Sequence, residues 1–239
     1  TSYWIVFERT SGSGIFLGGT TAPNDRCKYY DPAIWFFTKH DVGSTSPDAT
    51  VYCVAVADFD NDGLMDIVTG AGSAEDYEVV VWENSGEYTW TQHDVGTSTA
   101  VYSVDTADFN NDGFADIVSG SGSDEDYEVI VWENDADENF DWSFTQHDVG
   151  ASADNVWAVR VGDMNNDGYS DIVTGSGSNE DYEVITWEND ADATFDWSFT
   201  QSNVGAVNDD VRAVDVCDFD HDGYLDIVTG SEKSQLIMK

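Results

Sequence analysis

DFDNDGLMD, residues 58–66, is the stretch around which the rest of this sequence is arranged. It returns as DFNNDGFAD at 108–116, DMNNDGYSD at 163–171 and DFDHDGYLD at 218–226, so that its first aspartates lie 50, 55 and 55 residues apart. Each copy places oxygen-bearing side chains at positions 1, 3, 5 and 9 and a glycine at position 6. Four copies at matching offsets indicate an internal repeat with one such loop in each unit.

The spacing within each copy is typical of a loop that wraps a hard cation. Alternate residues turn their oxygens inward, the glycine permits a sharp turn, and the carbonyl at position 7 adds a further oxygen. An Asp- and Gly-rich turn without metal is the alternative. An all-protein oxygen cage of this size favours Ca²⁺ over Mg²⁺. The predicted ligands of about four calcium ions are Asp58, Asp60, Asp62, Leu64 and Asp66; Asp108, Asn110, Asp112, Phe114 and Asp116; Asp163, Asn165, Asp167, Tyr169 and Asp171; and Asp218, Asp220, Asp222, Tyr224 and Asp226.

The residues that follow each copy exclude an EF-hand. An EF-hand needs a bidentate glutamate at position 12, which is Thr69, Ser119, Thr174 or Thr229 here. Each loop runs instead into DIVTG or DIVSG, a β-branched segment that ends at a glycine. That composition predicts a short strand, so the loop joins two strands and the ninth-position aspartate closes it.

Each unit of 50 to 55 residues is predicted to hold four short strands. The first precedes the loop, as in VYCVAVAD, and its alternating small residues are typical of an inner strand crowded near an axis. The second follows the loop, and the third carries Trp82, Trp132 or Trp187 in a core position. The fourth reads WFFTKHDVG, TWTQHDVG, WSFTQHDVG or WSFTQSNVG. This pattern predicts an all-β propeller of about four antiparallel, four-stranded blades, with the Asp-rich calcium loops between first and second strands.

An apolar strand, then D-x-[DN]-x-D-G-x-x-D, then I-V-x-G resembles the FG-GAP (VCBS-type) repeats over about residues 35–230. This resemblance implies propeller blades like those of integrin α-subunits and many secreted microbial proteins. It also implies an extracellular or cell-surface location and an adhesion or scaffold role. Residues 1–34 do not match the pattern clearly.

The repeats at 35–239 are predicted to form a single domain together with an N-terminal strand and loop segment at 1–34. SYWIVFE resembles YEVVVWE (77–83) and is interpreted as a third strand separated from its own loop. With QLIMK (235–239), five third-strand candidates serve four loops. Either the N-terminal strand closes the ring within the chain, or a terminal strand pairs with a neighbour and builds a homo-oligomer or filament. A segment of a longer repeat array is a further alternative.

The acidity of the chain excludes several classes of partner. Its net charge is −40, from 48 acidic and 8 basic residues, and four divalent cations would offset only part of it. Such a surface repels nucleic acid and anionic membranes, and no apolar run is long enough to span a bilayer. Hydrophobic residues make up 41% of the chain and aromatic residues 13%, so the chain is predicted to fold despite its charge.

No catalytic motif of the G-x-S-x-G, P-loop or H-E-x-x-H kind occurs, and the chain is therefore predicted not to be an enzyme. His40, His93 and His147 occupy one repeat position, which indicates packing or hydrogen bonding rather than a single catalytic base. Two other functions remain as alternatives, a lectin-like propeller and the propeller domain of a secreted polysaccharide-degrading enzyme. The candidates for exposed sugar-stacking residues are Trp90, Trp142 and Trp197.

The three cysteines form no C-x-x-C pair, which argues against zinc and thioredoxin-type chemistry. At most one disulfide can form among Cys27, Cys53 and Cys217. Small buried residues are expected at Cys53 and Cys217.

Overall fold

Every regular element in the described part of the chain is a β-strand. The computed structural model describes residues 5–9, 37–43, 50–72, 77–122, 127–135, 141–152, 154–177, 182–190, 196–205, 209–231 and 235–238. The strands are β1 (Ile5–Arg9), β2 (Phe37–Asp41), β3 (Val51–Ala57), β4 (Asp66–Ala71), β5 (Val79–Asn84), β6 (Trp90–Gly96), β7 (Val101–Ala107), β8 (Asp116–Ser121), β9 (Val129–Asn134), β10 (Phe144–Gly150), β11 (Val156–Gly162), β12 (Asp171–Ser176), β13 (Val184–Asn189), β14 (Phe199–Gly205), β15 (Val211–Cys217), β16 (Asp226–Ser231) and β17 (Gln235–Met238).

The strands form antiparallel sheets in which chain neighbours are also sheet neighbours. Repeat 1 is the sheet β3-β4-β5-β6, repeat 2 is β7 to β10, and repeat 3 is β11 to β14. Repeat 4 has three described strands, β15-β16-β17, and β1 pairs with β2 in a separate strand pair. The prediction of antiparallel four-stranded sheets is thus confirmed, whereas the described strands do not show closure into a ring.

The hydrophobic cores lie between successive sheets. One cluster joins Phe59 and Val68 of repeat 1 to Val104, Ile117 and Trp132 of repeat 2. Corresponding clusters join repeat 2 to repeat 3 and repeat 3 to repeat 4. Each middle sheet is therefore covered on both faces, which explains why its second and third strands are buried at nearly every position rather than at alternate ones.

The third-strand tryptophans are buried, as predicted. The indole N–H of Trp132 donates to Ser119 Oγ at 2.9 Å, so the one polar atom of the ring is satisfied. Its six-membered ring packs on Gly96 of the preceding repeat, where an added Cβ would come within 2.1 Å of the ring. Trp82 packs in the same way on Gly43, and Trp187 on Gly150.

The N-terminal strand pair has the register of the third and fourth strands of a repeat. Val6 pairs with His40 as Val81 pairs with His93. The interpretation of SYWIVFE as a third strand is therefore confirmed. The C-terminal strand β17 takes the third-strand place beside β16, because Ile227 faces Met238 in the register in which Ile172 faces Trp187.

Two expectations about side chains were wrong. Trp90, Trp142 and Trp197 are half-buried rather than exposed. Trp90 lies in β6, whereas Trp142 and Trp197 precede their strands with φ of 60°. Tyr88, with φ of 62°, is the repeat-1 counterpart of Trp142. Cys217 is exposed rather than buried, because no further sheet covers its side of β15 in the described structure.

Cys53 is a free thiol that lies half-buried, and burial raises its pKa to about 12. Cys27, most of residues 1–34, and most of the acidic segments at 73–78, 123–128, 134–141, 178–183 and 189–196 lie outside the described residues.

Candidate metal site

Each nine-residue loop joins the first strand of its repeat to the second through two residues with positive φ. In loop 1, residues 58–66, these are Asn61 at 58° and Gly63 at 91°. Nothing lies within 4 Å of a Cβ built on Gly63, so the requirement for glycine is conformational rather than steric. Loop 2 (108–116), loop 3 (163–171) and loop 4 (218–226) repeat this turn with Asn111 and Gly113, Asn166 and Gly168, and His221 and Gly223.

The turn gathers carboxylates in the first and last loops. Ligand atoms of Asp58, Asp60 and Asp66 lie within 4.8 Å of one another, an arrangement that can hold a metal ion. In loop 4 the same is true of a different three, Asp218, Asp220 and Asp222. Loops 2 and 3 carry an amide at position 3, so their acidic side chains are fewer.

Backbone amides hold the predicted ligands in place in all four loops. Gly63 N donates to Asp58 Oδ2 at 2.9 Å, and Leu64 N donates to Asp62 Oδ1 at 2.7 Å. The bond from the glycine recurs at 2.8 Å in loop 2, 2.9 Å in loop 3 and 3.0 Å in loop 4. The four loops therefore share one backbone turn, which is set by the same Asx-type bonds.

One carboxylate oxygen in loop 1 differs in its hydrogen bonding from its counterpart in loop 2. Asp58 Oδ1 is buried and has no hydrogen-bond donor among the described residues. In loop 2 the corresponding oxygen of Asp108 accepts from Asp112 N at 3.0 Å. A buried carboxylate oxygen without a donor is costly unless a cation compensates it, so the donor set of loop 1 fits a hard metal ion.

The ninth-position aspartates brace the sheet as well as closing the loop. Asp116 Oδ2 accepts from Phe109 N at 2.9 Å, and its Oδ1 accepts from Asn134 N at 2.9 Å. Asp66 and Asp171 make the same two bonds, and Asp226 makes the first of them. All four are buried. One carboxylate thus ties the start of the loop to the end of the third strand.

Burial raises the pKa of three of these carboxyls. The pKa of Asp116 rises to about 8, and those of Asp66 and Asp171 rise to about 6. The backbone N–H donors oppose the shift, and neighbouring loop carboxylates add to it. The pKa of Asp60 is also raised, first by burial and then by Asp62, Asp58 and Glu83. A divalent cation among these groups would act in the opposite direction, because it favours the charged form.

A glutamate from the third strand approaches position 3 of loops 2 and 3, a contact that sequence reasoning missed. Asn110 Nδ2 donates to Glu133 Oε1 at 3.3 Å and to Asp112 Oδ2 at 2.9 Å. In loop 3, Asn165 Nδ2 reaches Glu188 Oε1 at 3.1 Å. The sequence carries a signal for this glutamate, because a glutamate follows the buried tryptophan in all three complete repeats.

The same glutamates bind the repeated histidines. His93 Nε2 lies 2.8 Å from Glu83 Oε2, and its ring stacks on Trp142 of the next repeat at 4.2 Å between centroids. His147 repeats both contacts with Glu133, at 2.7 Å, and with Trp197. The prediction that these histidines pack and hydrogen-bond is confirmed.

Successive loops are linked to one another by the residue at position 4. Asn61 Nδ2 donates to Gly113 O at 3.0 Å, Asn111 Nδ2 to Gly168 O at 3.2 Å, and Asn166 Nδ2 to Gly223 O at 2.8 Å. Each asparagine thus uses its left-handed backbone to turn its own loop and its side chain to hold the next. His221 occupies this position in loop 4 and is exposed.

Comparison with known proteins supports the repeat assignment. The FG-GAP-like repeat family matches residues 58–119, which include loops 1 and 2, and the FG-GAP repeat family matches residues 155–185, which include loop 3. These two matches support an FG-GAP-type repeat protein. No curated protein matches it. In the described residues there is no helix of the length and apolarity needed to cross a membrane.

Proposed function

We propose that this chain is an extracellular, calcium-stabilised repeat module of propeller type that acts as an adhesion or structural scaffold. The observation that carries the proposal is the carboxylate cluster of loop 1, in which Asp58 Oδ1 is buried without a donor beside Asp60 and Asp66. A hard cation supplies the compensation that this oxygen needs. Its predicted ligands are the side chains at positions 1, 3, 5 and 9 and the carbonyl at position 7.

The calcium ions would have a structural role. The loops lie at the junctions between repeats, because each is tied to the next through its position-4 side chain. Bound cations offset the repulsion among converging carboxylates and fix these junctions. At a free calcium concentration about a hundredfold above Kd, each independent site adds roughly 2.7 kcal/mol to the free energy of unfolding.

Two observations favour a binding or scaffold role over catalysis. The repeated histidines are engaged by glutamates and aromatic rings between repeats, and the loop carboxylates are held by backbone amides. FG-GAP repeats typically occur in extracellular proteins. Calcium-binding modules outside the cell have dissociation constants of roughly 10⁻⁴–10⁻³ M. With a net charge of −40, the partner is expected to be a protein or glycan rather than nucleic acid.

Calorimetric titration of the metal-free chain with Ca²⁺ tests the proposal. We expect about four sites and a higher melting temperature in calcium than in chelator. The double variant D58N/D60N should lose one site, because it removes two charges from loop 1. Asp94→Asn is the matched control, since Asp94 is an exposed aspartate on β6, outside the loops. Fewer than three sites, or a melting temperature unchanged by chelator, would contradict structural calcium.

Glycan binding is the second candidate, and one observation favours it. Tyr77, Tyr127 and Tyr182 occupy the same position in three repeats and are all exposed. Three like rings at repeat spacing offer stacking surfaces for sugars. Trp142 and Trp197 are less suited, because each stacks on a histidine. A glycan-array screen of the wild type and the Y77A/Y127A/Y182A variant separates a lectin from a scaffold.

A further inference from the structure

The two ends of the described array carry exposed apolar residues. The N-terminal face is defined by Tyr52, Val54, Val56 and Met65 of repeat 1. The C-terminal face is defined by Phe219 together with Asp215 and Cys217 of repeat 4. Large exposed apolar patches on soluble proteins commonly mark interaction sites.

The same positions are buried wherever two repeats meet. Val54 is 53% exposed, whereas its counterpart Val104 in repeat 2 is 3% exposed. Phe219 is 52% exposed, whereas its counterparts Phe59 and Phe109 are 0% exposed. The N-terminal and C-terminal faces are therefore the two halves of a junction that occurs three times inside the chain.

The internal junction shows what each half contributes. Phe59 of repeat 1 enters the core of repeat 2 and lies edge-on to Phe144. Its carbonyl accepts from Asn134 Nδ2 at 2.9 Å, and at the next junction Phe109 O accepts from Asn189 Nδ2 at 3.0 Å. The aromatic side chain thus gives apolar burial, and its carbonyl is satisfied by an amide on the receiving repeat.

Repeat 1 has a receiving site of the same kind that remains open. It is a cavity of about 470 Å³ lined by residues that include Val56, Leu64, Ile67, Asn84 and Trp90. Asn84 is the counterpart of Asn134 and donates to Met65 O at 3.2 Å, as Asn134 donates to Ala115 O. In the described structure no residue takes the place that Phe59 O has beside Asn134.

We propose that the N-terminal face binds the C-terminal face of a second copy of this chain, so that copies join head to tail. Phe219 of the second copy fills the cavity of repeat 1, and its carbonyl accepts from Asn84 Nδ2. Asp215 of that copy accepts from Val56 N, as Asp105 accepts from Val161 N at 3.1 Å. The proposal rests on the scaffold role and names its partner.

A second copy suits these faces better than the chain's own end. Both faces are exposed in the same molecule, so the described strands of one chain do not cover them. A junction that repeats head to tail without closing produces an open array. The net charge of −40 opposes such contacts, and bound or free divalent cations weaken that repulsion.

Joining the two faces also leaves one terminal strand, β1 or β17, without a place in a sheet. β1 beside β2 and β17 beside β16 both hold a third-strand register. In the joined copies, β15 and β16 of one copy lie beside the β1–β2 pair of the other and stack on its repeat 1. The sheet that they form has one third-strand place, which either β1 or β17 can take. The other of these two strands is then surplus. Removal of residues 235–239 should therefore strengthen association. A weaker association after this truncation would contradict the composite sheet.

Sedimentation velocity in saturating calcium tests the docking itself. The wild type should gain mass with concentration, whereas Phe219→Ala and Val54→Asp should each weaken association by roughly tenfold or more, as for a buried anchor residue. Both side chains are exposed in the single chain, so the fold should tolerate either change. Tyr127→Ala, which removes an exposed aromatic ring away from both faces, is the matched control.

Mixing the two variants gives the sharpest result. F219A retains a working N-terminal face and V54D a working C-terminal face, so an equimolar mixture should form dimers that grow no further. A wild type that stays a single chain at every concentration, or a mixture that stays monomeric, would overturn the proposal. Calcium titration of V54D separates this outcome from failure of the metal sites, because Val54 lies outside the loops.

Discussion

Asn111 Nδ2 donates to the carbonyl oxygen of Gly168 at 3.2 Å and thereby ties the second loop to the third. The donor lies in a left-handed turn of one loop, and the acceptor belongs to the residue that turns the next. The conformations of neighbouring loops are therefore not independent. An ion that ordered one loop would also hold the acceptor or the donor for its neighbour.

Replacement of Asn111 by Asp should lower the free energy of unfolding by about 1 kcal/mol, the typical contribution of one hydrogen bond. Aspartate tolerates the left-handed backbone as asparagine does, but it cannot donate to Gly168 O. Urea denaturation in calcium measures the change. The control is Asn203→Asp, which adds the same charge at an exposed position and keeps the acceptor used by Gln201 Nε2. Equal midpoints for the two variants would show that the link adds no stability.

Replacement of Asn110 by Asp should tighten calcium binding at loop 2 by roughly tenfold, since ligand charge tunes the affinity of such loops. The same change should lower the stability of the metal-free protein, because the new carboxylate faces Asp112 and Glu133 without an amide to donate to them. Calorimetry measures the first effect and denaturation in chelator the second. Unchanged affinity would show that position 3 of loop 2 is not a ligand.

The stability of the metal-free protein should fall as the pH rises from about 5 to about 8. The folded-state pKa of Asp116 is about 8, above its ordinary value of 3.8, because the carboxyl is buried. The folded state therefore holds a proton that the unfolded chain releases, and this contribution is fully present below the ordinary pKa and is lost as the pH passes the folded one.

Urea midpoints in chelator at these two pH values check the prediction. Asp116→Asn cannot ionise and should flatten the dependence, whereas the exposed control Asp94→Asn should not. Calcium should also flatten it, because the cation favours the charged carboxylate. A midpoint in chelator that rises towards pH 8 would refute this account of Asp116.

Replacement of Gly96 by Ala should cost about 1–3 kcal/mol, the usual range for overpacking. The added Cβ would lie 2.1 Å from Trp132 Cζ3, which belongs to the following repeat. Trp132→Phe removes that part of the ring, so the double variant should lose less than the sum of the two single changes. The control is Gly230→Ala, where the nearest atom lies 3.7 Å away. Additive losses would exclude this contact as the cause.

The strands and loops could be predicted because their signals are local. The positive-φ glycine and the aspartates lie within nine residues, and the alternating apolar residues come directly before them, so their spacing alone predicts a strand–loop–strand unit. Trp132 was assigned to the core on the same ground. In these features the local preference of the chain and its tertiary environment agree.

Contacts between repeats could not be predicted in the same way. Asn61 and Gly113 both read as turn residues, and nothing in either neighbourhood indicates that one donates to the other 52 residues away. The exposure of Cys217 has a similar origin. Its counterpart Ala57 is covered by the following repeat, so the difference between them depends on what is stacked next to each sheet.

The junctions between repeats use corresponding residues each time, and this has a genetic consequence. After an in-frame duplication or loss of one interior unit of 50 to 55 residues, the C-terminal side of one repeat would still pack on the N-terminal side of another. No new interface would have to evolve, because Phe59 and Phe109 are already buried in equivalent clusters between repeats. The length of such a protein can therefore change by whole units under recombination, while point substitutions at Gly96 or Trp132 require a matching change in the neighbour.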